Sequence, residues 1–274
     1  MKPRIRLEDF KIHTSLSDLK CSKSGQRAAF LTTVCDEASN GYRHTLWLYD
    51  SGRVSRAGVP ENPSFYQWED ENTILIGWRR ADSTRLTRLQ AAENRLSEEW
   101  ELPFRAKTAL PLLDGRFAVT TIRDENAHEE GNHRAFEIFE ELPLRQNAGG
   151  YTSGRRCELS IYDPATGRRI QVSAAPFDVE QVALTPNGES LVYSGQAYQN
   201  MRLLDHAIWR YVLSNGEKQE ILSQEEKMFL GYFACDNESV VYSATDCQSY
   251  GFGQVKYLYR FSFASGETSL FHAC

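Results

Sequence analysis

The amino-acid sequence predicts an all-β fold made of repeated four-stranded sheets, and three observations support this prediction. A turn followed by a short apolar strand recurs along the chain, with strand centres at residues 30, 75, 118, 192 and 241. An aromatic-rich strand follows each copy and usually ends in a second turn, as at residues 45–52 and 208–216. Outside residues 133–142, no stretch has the apolar spacing of an amphipathic helix.

The length of the repeat indicates which all-β architecture to expect. The strand centres lie 45, 43, 74 and 49 residues apart, and four-stranded units of about 40–50 residues are typical of β-propeller blades. A blade cannot bury both faces alone, so several must stack. We expect one propeller domain over residues 1–274 with about five antiparallel blades, and whether the ring is complete is left open. The expected blades cover about residues 14–58, 63–103, 105–173, 177–223 and 227–272. A two-layer sandwich is the alternative, although it does not explain the regular step.

The long step of 74 residues indicates an insertion within the third blade, over about residues 124–150. Its centre, residues 133–142, has the pattern of a short helix that ends before Pro143. At about 100° per residue, apolar and acidic side chains fall on opposite faces of this helix. The apolar face contains Phe136, Ile138, Phe139 and Leu142. The acidic face contains Glu137, Glu140 and Glu141.

These three glutamates are the candidate substrate-binding residues, because insertions between propeller strands project from a rim where binding surfaces lie. Like charges at helical spacing repel each other, and a nearby cation would relieve that repulsion. A substrate ammonium is one such cation. The alternative is a solvated acidic face that pairs with local arginines, for which the sequence offers Arg134, Arg145, Arg155 and Arg156.

Composition excludes several classes of partner. The chain has 31 Lys and Arg against 37 Asp and Glu, whereas nucleic-acid binders need a basic surface. No apolar run approaches the roughly 20 residues of a membrane helix, and the first 13 residues do not continue into an apolar signal segment. The six cysteines form no close pair of the kind that zinc sites use. We therefore expect a cytoplasmic protein with reduced thiols, no metal, no cofactor, and neither nucleic acid nor membrane as a partner.

Catalytic motifs are absent from the sequence. His128 and His133 are five residues apart, whereas chelation of zinc by one helix face requires a spacing of four. Gly150–Gly154 has the outline of a nucleophile elbow, but it has Thr152 where serine belongs and leads into a predicted strand instead of a helix. No Gly-x-Ser-x-Gly and no glycine-rich phosphate loop occurs. We therefore expect no catalytic residue in this chain.

Several segments resemble one known family. Residues 139–144, 147–152, 155–156 and 159–163 are similar to the N-terminal propeller of prolyl oligopeptidase family serine peptidases, and most similar to that of bacterial acylaminoacyl-peptidase-like members. Residues 242–246 and the opening around 7–10 resemble later and earlier stretches of the same domain.

This resemblance implies a propeller that restricts access of short peptides to a C-terminal α/β-hydrolase domain with a Ser-Asp-His triad. The chain ends at Cys274 without such a domain, so we expect a non-catalytic, substrate-gating propeller whose partners are its own hydrolase domain and a short peptide. In dipeptidyl-peptidase relatives, a glutamate pair on a propeller helix binds the substrate ammonium, and Glu140 and Glu141 match that pair in type.

Other functions stay open at this point. A stand-alone propeller that binds a protein or a ligand is the main alternative, and an enzyme with paired carboxylates from different blades is another. We also expect exposed blade edges to favour homo-oligomers, because unpaired strand edges template pairing.

Overall fold

The computed structural model describes residues 6–124, 141–142, 145–146, 150–151 and 154–272. Strands dominate this part of the chain, and they form five four-stranded sheets and one two-stranded hairpin. Within each four-stranded sheet, the strands are hydrogen-bonded to their neighbours in chain order, as in a propeller blade. The predicted fold class, an all-β propeller of four-stranded antiparallel blades, is confirmed.

The first two sheets precede residue 103. The first contains β1 (Ser15–Cys21), β2 (Arg27–Asp36), β3 (Gly41–Asp50) and β4 (Arg53–Arg56). The second contains β5 (Phe65–Trp68), β6 (Thr73–Arg79), β7 (Thr84–Gln90) and β8 (Arg95–Leu102). All pairs in these two sheets are antiparallel.

The remaining sheets follow in order. The third contains β9 (Ala106–Pro111), β10 (Phe117–Asp124), β13 (Arg155–Tyr162) and β14 (Arg169–Gln171). The hairpin β11 (Arg145–Gln146) and β12 (Gly150–Tyr151) lies between β10 and β13 in the chain. The fourth sheet contains β15 (Phe177–Leu184), β16 (Ser190–Ala197), β17 (Ala207–Val212) and β18 (Lys218–Leu222). The fifth contains β19 (Phe229–Cys235), β20 (Ser239–Thr245), β21 (Tyr257–Ser262) and β22 (Thr268–His272).

Helical structure is confined to short 3-10 turns in the described residues. These turns span Leu7–Ile12, Gln224–Glu226 and Gly251–Gly253. The predicted helix over residues 133–142 falls almost entirely outside the described residues. Its last two residues, Glu141 and Leu142, are described and are not helical. No described helix has the length and apolar character needed to cross a membrane.

The turns between first and second strands explain the repeat seen in the sequence. Gly25 and Gly188 have φ values of +75° and +71°, in the left-handed region that residues with a Cβ rarely adopt. Glycine at these positions allows the chain to reverse within two residues and to begin the apolar second strand. Burial of the second strands varies: seven of the eight residues of β16 are buried, whereas most of β2 is half-buried.

Two compact units divide the chain by Cα proximity, and each has its own apolar core. The first unit contains the described residues up to Pro111 together with Gly115–Val119 and Tyr162–Arg168. Its core includes Ile74, Leu75, Ile76, Leu86 and Leu89, all fully buried. The second unit contains the rest, and its core includes Val192, Ile208, Leu222, Val240 and Ala244.

Candidate functional site

Of the three predicted substrate-binding glutamates, Glu141 lies in the described part of the chain, and Glu137 and Glu140 lie outside it. The Glu141 carboxylate faces the guanidinium of Arg156, at the start of β13. Arg156 Nη2 donates to Glu141 Oε2 at 2.6 Å, and Nη1 donates to Oε1 at 3.2 Å. The backbone N–H of Gly154 also donates to Oε1, at 2.7 Å. Glu141 is therefore held by a two-pronged ion pair and a main-chain donor.

Arg156 uses all five of its N–H groups. Besides the two bonds to Glu141, its guanidinium donates to the carbonyl oxygens of Arg155, Pro176 and Tyr198 at 3.0–3.3 Å. Its Cζ also lies 3.7 Å from the centroid of the Tyr198 ring, within the range of a cation–π contact. Because Pro176 and Tyr198 flank the fourth sheet, Arg156 links that sheet to the third sheet and to the segment that carries Glu141.

The ion pair is enclosed, and this determines its electrostatics. The Arg156 and Glu141 side chains are 7% and 8% exposed. Burial by itself would raise the pKa of Glu141, but the hydrogen bonds from Arg156 and Gly154 and the charge of Arg156 outweigh it and lower the pKa. Burial likewise opposes the charge of Arg156, but the hydrogen bond from Arg156 to Glu141 together with the negative charges of Glu141 and Asp178 and the nearby Tyr198 outweighs it, so the pKa of Arg156 is raised. Both groups are charged in the folded protein.

A second carboxylate, Asp178 of β15, lies near this pair. Its Oδ1 accepts a hydrogen bond from the backbone N–H of Cys157 at 2.8 Å. Burial raises the pKa of Asp178, although the bond from Cys157 and the charges of Arg202 and Arg156 oppose the shift. Asp178 thus helps to join β15 to β13 beside the Glu141 ion pair.

Glu180, two residues along β15, anchors the loop between β16 and β17. Its carboxylate pairs with Arg202, and its Oε2 lies 3.0 Å from Nε2 of His206. Nδ1 of His206 lies 2.7 Å from the carbonyl oxygen of Leu204. Burial would raise the pKa of Glu180, but its partners His206 and Arg202 lower it. The loop is thus fixed at two points to a partly buried carboxylate.

An open apolar cleft borders this loop. It has a volume of about 480 Å³ and is lined by Pro176, Ala197, Tyr198, Gln199, Asn200, Met201 and Leu203. The backbone N–H of Leu142 donates to the carbonyl oxygen of Asn200 at 2.7 Å, so the Glu141 segment lies against the same loop. Met201 and Leu142 are largely exposed here. The arrangement can hold an extended apolar or peptidic ligand, and among the residues that the structure describes here it places no nucleophile beside a base.

Sequence reasoning found Glu141 and included Arg156 among its candidate partners. It did not find Asp178, Glu180, Tyr198, Arg202 or His206, which surround the pair. The alternation of faces along a strand does not give the placement of Asp178 and Glu180, because Glu180 lies at a β-bulge of β15 where the pairing with β16 shifts by one residue. The elbow-like Gly150–Gly154 leads into β13, as its rejection as a catalytic motif required. His128 and His133 lie outside the described residues.

Comparison with known proteins gives similar proteins that are much longer than this chain, among them the following three. A curated peptidase of Bacillus subtilis, the uncharacterized peptidase YuxL, is 20% identical over 207 residues, which covers 71% of this chain and 31% of the relative. An acylaminoacyl peptidase of Pyrococcus horikoshii superposes with a TM-score of 0.65 at 14% identity, covering 96% of this chain and 40% of that one. A puromycin-hydrolyzing peptidase of Mycobacterium tuberculosis superposes with a TM-score of 0.60 at 12% identity, with coverages of 97% and 40%.

No model of a known protein family matches the sequence. The chain spans about a third of the curated relative and two fifths of the structural neighbours. At these identities the superpositions establish the fold. The chain therefore has the β-propeller fold, and its structural neighbours are acylaminoacyl and puromycin-hydrolyzing peptidases, in agreement with the resemblance seen in the sequence.

Proposed function

We propose that this chain is the non-catalytic, substrate-gating propeller of a serine peptidase of the prolyl oligopeptidase family that acts on short peptides. The observation that carries the proposal is the superposition of 96% of the chain on 40% of an acylaminoacyl peptidase. The curated relative is also called a peptidase. In this proposal the reaction takes place on a hydrolase domain of the full-length protein, and the propeller controls which substrates reach it.

Two loops support the gating role. The segment with Glu141 and the loop over residues 198–206 both connect the second strand of a sheet to its third. Loops of this kind emerge from the same edge of each blade, where ligands of propellers have access. Arg156 holds one loop through a buried ion pair with Glu141, and Glu180 holds the other through a partly exposed ion pair with Arg202, so each loop is tied to a sheet. A rigid rim excludes bulky substrates by shape.

The three glutamates take different parts in this proposal. Glu141 is occupied by Arg156 and Gly154, so it positions the acidic segment. A substrate ammonium reaching Glu141 would share its Oε2 with Arg156. Glu137 and Glu140 are the partners that we propose for the free ammonium of a peptide substrate, since a charge-assisted hydrogen bond fixes the substrate register.

The first test separates a peptidase domain from an independent binding module. The full-length gene product should react with a fluorophosphonate probe specific for serine hydrolases and should cleave dipeptide amides, and the purified 274-residue chain should do neither. A native reading frame that ends at Cys274, with no labelled partner protein, would favour the independent binding module.

The second test addresses the glutamates in the full-length enzyme. Glu140→Gln should lower kcat/KM about tenfold or more for substrates with a free amine and leave acylated substrates unchanged, because only the former present an ammonium. Glu93→Gln, at an exposed turn between β7 and β8, is the matched control and should leave both values unchanged. Equal kcat/KM values for wild type and Glu140→Gln on free-amine substrates would remove the proposed contact.

A further inference from the structure

A second cleft, distinct from the one beside Glu141, lies along the fourth and fifth sheets. Its volume is about 790 Å³. Two arginines on the third strands of these sheets line it, Arg210 of β17 and Arg260 of β21. Three serine hydroxyls, those of Ser262, Ser265 and Ser269, lie on the same wall.

The two arginines occupy equivalent positions in the repeat. Arg210 pairs with Val192, the third residue of β16, and Arg260 pairs with Val241, the third residue of β20. In each sheet, the arginine Nε donates at 3.1 Å to the hydroxyl of the serine that begins the second strand, Ser190 or Ser239. One repeated contact therefore orients both guanidinium groups.

The second sheet shows what normally neutralises this position. Its equivalent arginine, Arg88, pairs with Leu75 of β6. Arg88 Nε and Nη2 donate to the two carboxylate oxygens of Glu69, at 2.6 and 3.0 Å, and Nη1 pairs with Glu98. The pKa of Arg88 is raised by the bonds to Glu69 against the effect of burial.

Arg210 and Arg260 have no such carboxylates. Across residues 154–272 and the other described segments, neither guanidinium has a carboxylate oxygen within 4.0 Å, and their Nη atoms form no hydrogen bond. Phe263 holds Arg210 further in place, with its ring centroid 4.1 Å from the arginine Cζ. Asp236, which accepts from the Ser239 hydroxyl, supports the anchor of Arg260 from behind. Each of the two guanidinium groups, called a fork below, is thus held through its Nε. The Nη atoms of each fork make no hydrogen bond within the described residues.

The remaining charges of the cleft decide how a ligand would be recognised. Glu238 and Glu267 also line it, so the formal charges of its walls cancel. A ligand is therefore held by directed hydrogen bonds from the two forks and not by a net positive field. Guanidinium groups with paired free N–H donors match the oxygen spacing of carboxylates and phosphates.

We propose that this cleft binds a small oxyanion, a phosphate or a carboxylate group, through the Nη atoms of Arg210 and Arg260. The hydroxyls of Ser262 and Ser265, which accept backbone N–H groups and keep their own O–H groups, supply further donors to the same oxygens. This site is independent of the proposed peptidase function, since none of its residues belongs to the Glu141 site.

The test is a calorimetric titration of the purified chain with inorganic phosphate and, separately, with acetate, at constant ionic strength. We expect saturable binding at one site per chain for at least one of the two anions, and the comparison identifies which oxyanion geometry the cleft prefers. Arg210→Gln and Arg260→Gln should each weaken that binding about tenfold or more, because each removes one fork. Arg53→Gln, at an exposed position of β4, should leave it unchanged.

Two further measurements keep the test decisive. Arg260→Lys keeps the charge and removes the fork, so it should also lose most of the affinity. The second measurement uses the wild-type protein, so it does not depend on whether a variant folds. The NMR signals of the Arg210 and Arg260 guanidinium groups should shift when phosphate or acetate is added, and the signal of Arg88 should not. Absence of saturable binding for both anions, or equal affinity in wild type and Arg260→Gln, would overturn the proposal.

Discussion

Arg156 shows how a single residue can connect several segments of this chain through its hydrogen bonds. It is buried with a full set of acceptors, and its partner Glu141 joins a long insertion to β13. Removing one member of a buried pair leaves the other charge uncompensated, which costs far more than losing an exposed pair. The energetic role of Glu141 is therefore testable apart from any role in binding.

We predict that Glu141→Ala lowers the free energy of unfolding by about 3 kcal/mol, because Arg156 would keep its charge in an enclosed site. Three carbonyl acceptors of Arg156 remain, which limits the loss. Urea unfolding monitored by circular dichroism measures the change. Glu99→Ala is the control, since Glu99 lies 2.6 Å from Arg85 but is 53% exposed, and its loss should cost less than about 1 kcal/mol.

The difference in unfolding free energy between wild type and Glu141→Ala depends on pH with a defined sign. The pKa of Glu141 is lower in the folded protein than in the unfolded chain. The ion pair therefore contributes its full stability above the unfolded pKa of about 4.3, and loses it as the pH falls through the folded value. Wild type and Glu141→Ala should differ most near neutral pH and converge in acid. A difference that stays constant down to pH 2 would contradict this account.

At the scale of elements, the strand pair β15–β16 is the most constrained part of the Glu141 site. Gly195 of β16 packs against the main chain of β15, and a Cβ at this position would collide with the carbonyl oxygen of Asp178 and approach the Phe177 ring. A main-chain atom in a paired strand cannot move away as a flexible side chain can. Glycine at position 195 thus sets the distance between the two strands.

We predict that Gly195→Ala destabilises the protein by about 2–3 kcal/mol, because overpacking forces the backbone of β15 to shift. The same shift would displace Asp178 and the adjacent Glu180, so the loop over residues 198–206 should become more protease-sensitive. Thermal unfolding and limited proteolysis measure the two effects. Gly253→Ala, where a Cβ meets no atom within 4 Å, should stay within about 0.5 kcal/mol of wild type. Equal melting temperatures for both variants would show that β15 tolerates the added methyl group.

The sequence predicts the local structure of some elements better than that of others. Turn signals such as Ser24–Gly25 and Asn187–Gly188 each precede the second strand of a sheet, because a glycine at positive φ lets the chain reverse before an apolar segment. The acidic segment behaves differently. Its helical periodicity extends to Leu142, yet Glu141 and Leu142 are not helical, and their bonds to Arg156 and Asn200 account for this local structure. Tertiary contacts override helix propensity at that point.

At the scale of the whole molecule, the last described strand, β22, lies at the edge of its sheet. β22 is hydrogen-bonded on one side to β21 and is the terminal strand of its sheet. Leu270 and Phe271 of β22 are 58% and 56% exposed. Exposed apolar edge strands template pairing with other chains. The homo-oligomer expected from the sequence stays a prediction, for which β22 is one candidate surface. The single-domain assignment over residues 1–274 also stays a prediction.

We predict that the purified chain self-associates with rising concentration and that Leu270→Lys combined with Phe271→Lys suppresses this, since lysine on an edge disfavours strand pairing. Sedimentation velocity over a concentration range of about 1–100 μM measures the effect. Tyr250→Lys is the control, because Tyr250 is 80% exposed but lies outside the strands. A wild-type chain that stays monomeric throughout, or a Tyr250→Lys variant that dissociates equally, would contradict the prediction.

The sequence by itself determined the propeller fold and its repeat, because turn chemistry and strand alternation are local and recur five times. It also determined that Glu141 belongs to an acidic segment near arginines. Only the tertiary structure decided that Arg156 is the partner, since the hairpin of β11 and β12 reverses the chain between residues 141 and 156. The sequence likewise did not predict that Arg210 and Arg260 form no ion pair with a carboxylate of the described residues. Whether an arginine pairs with a carboxylate depends on side chains from other strands. The residue pattern of one strand does not indicate which side chains those are.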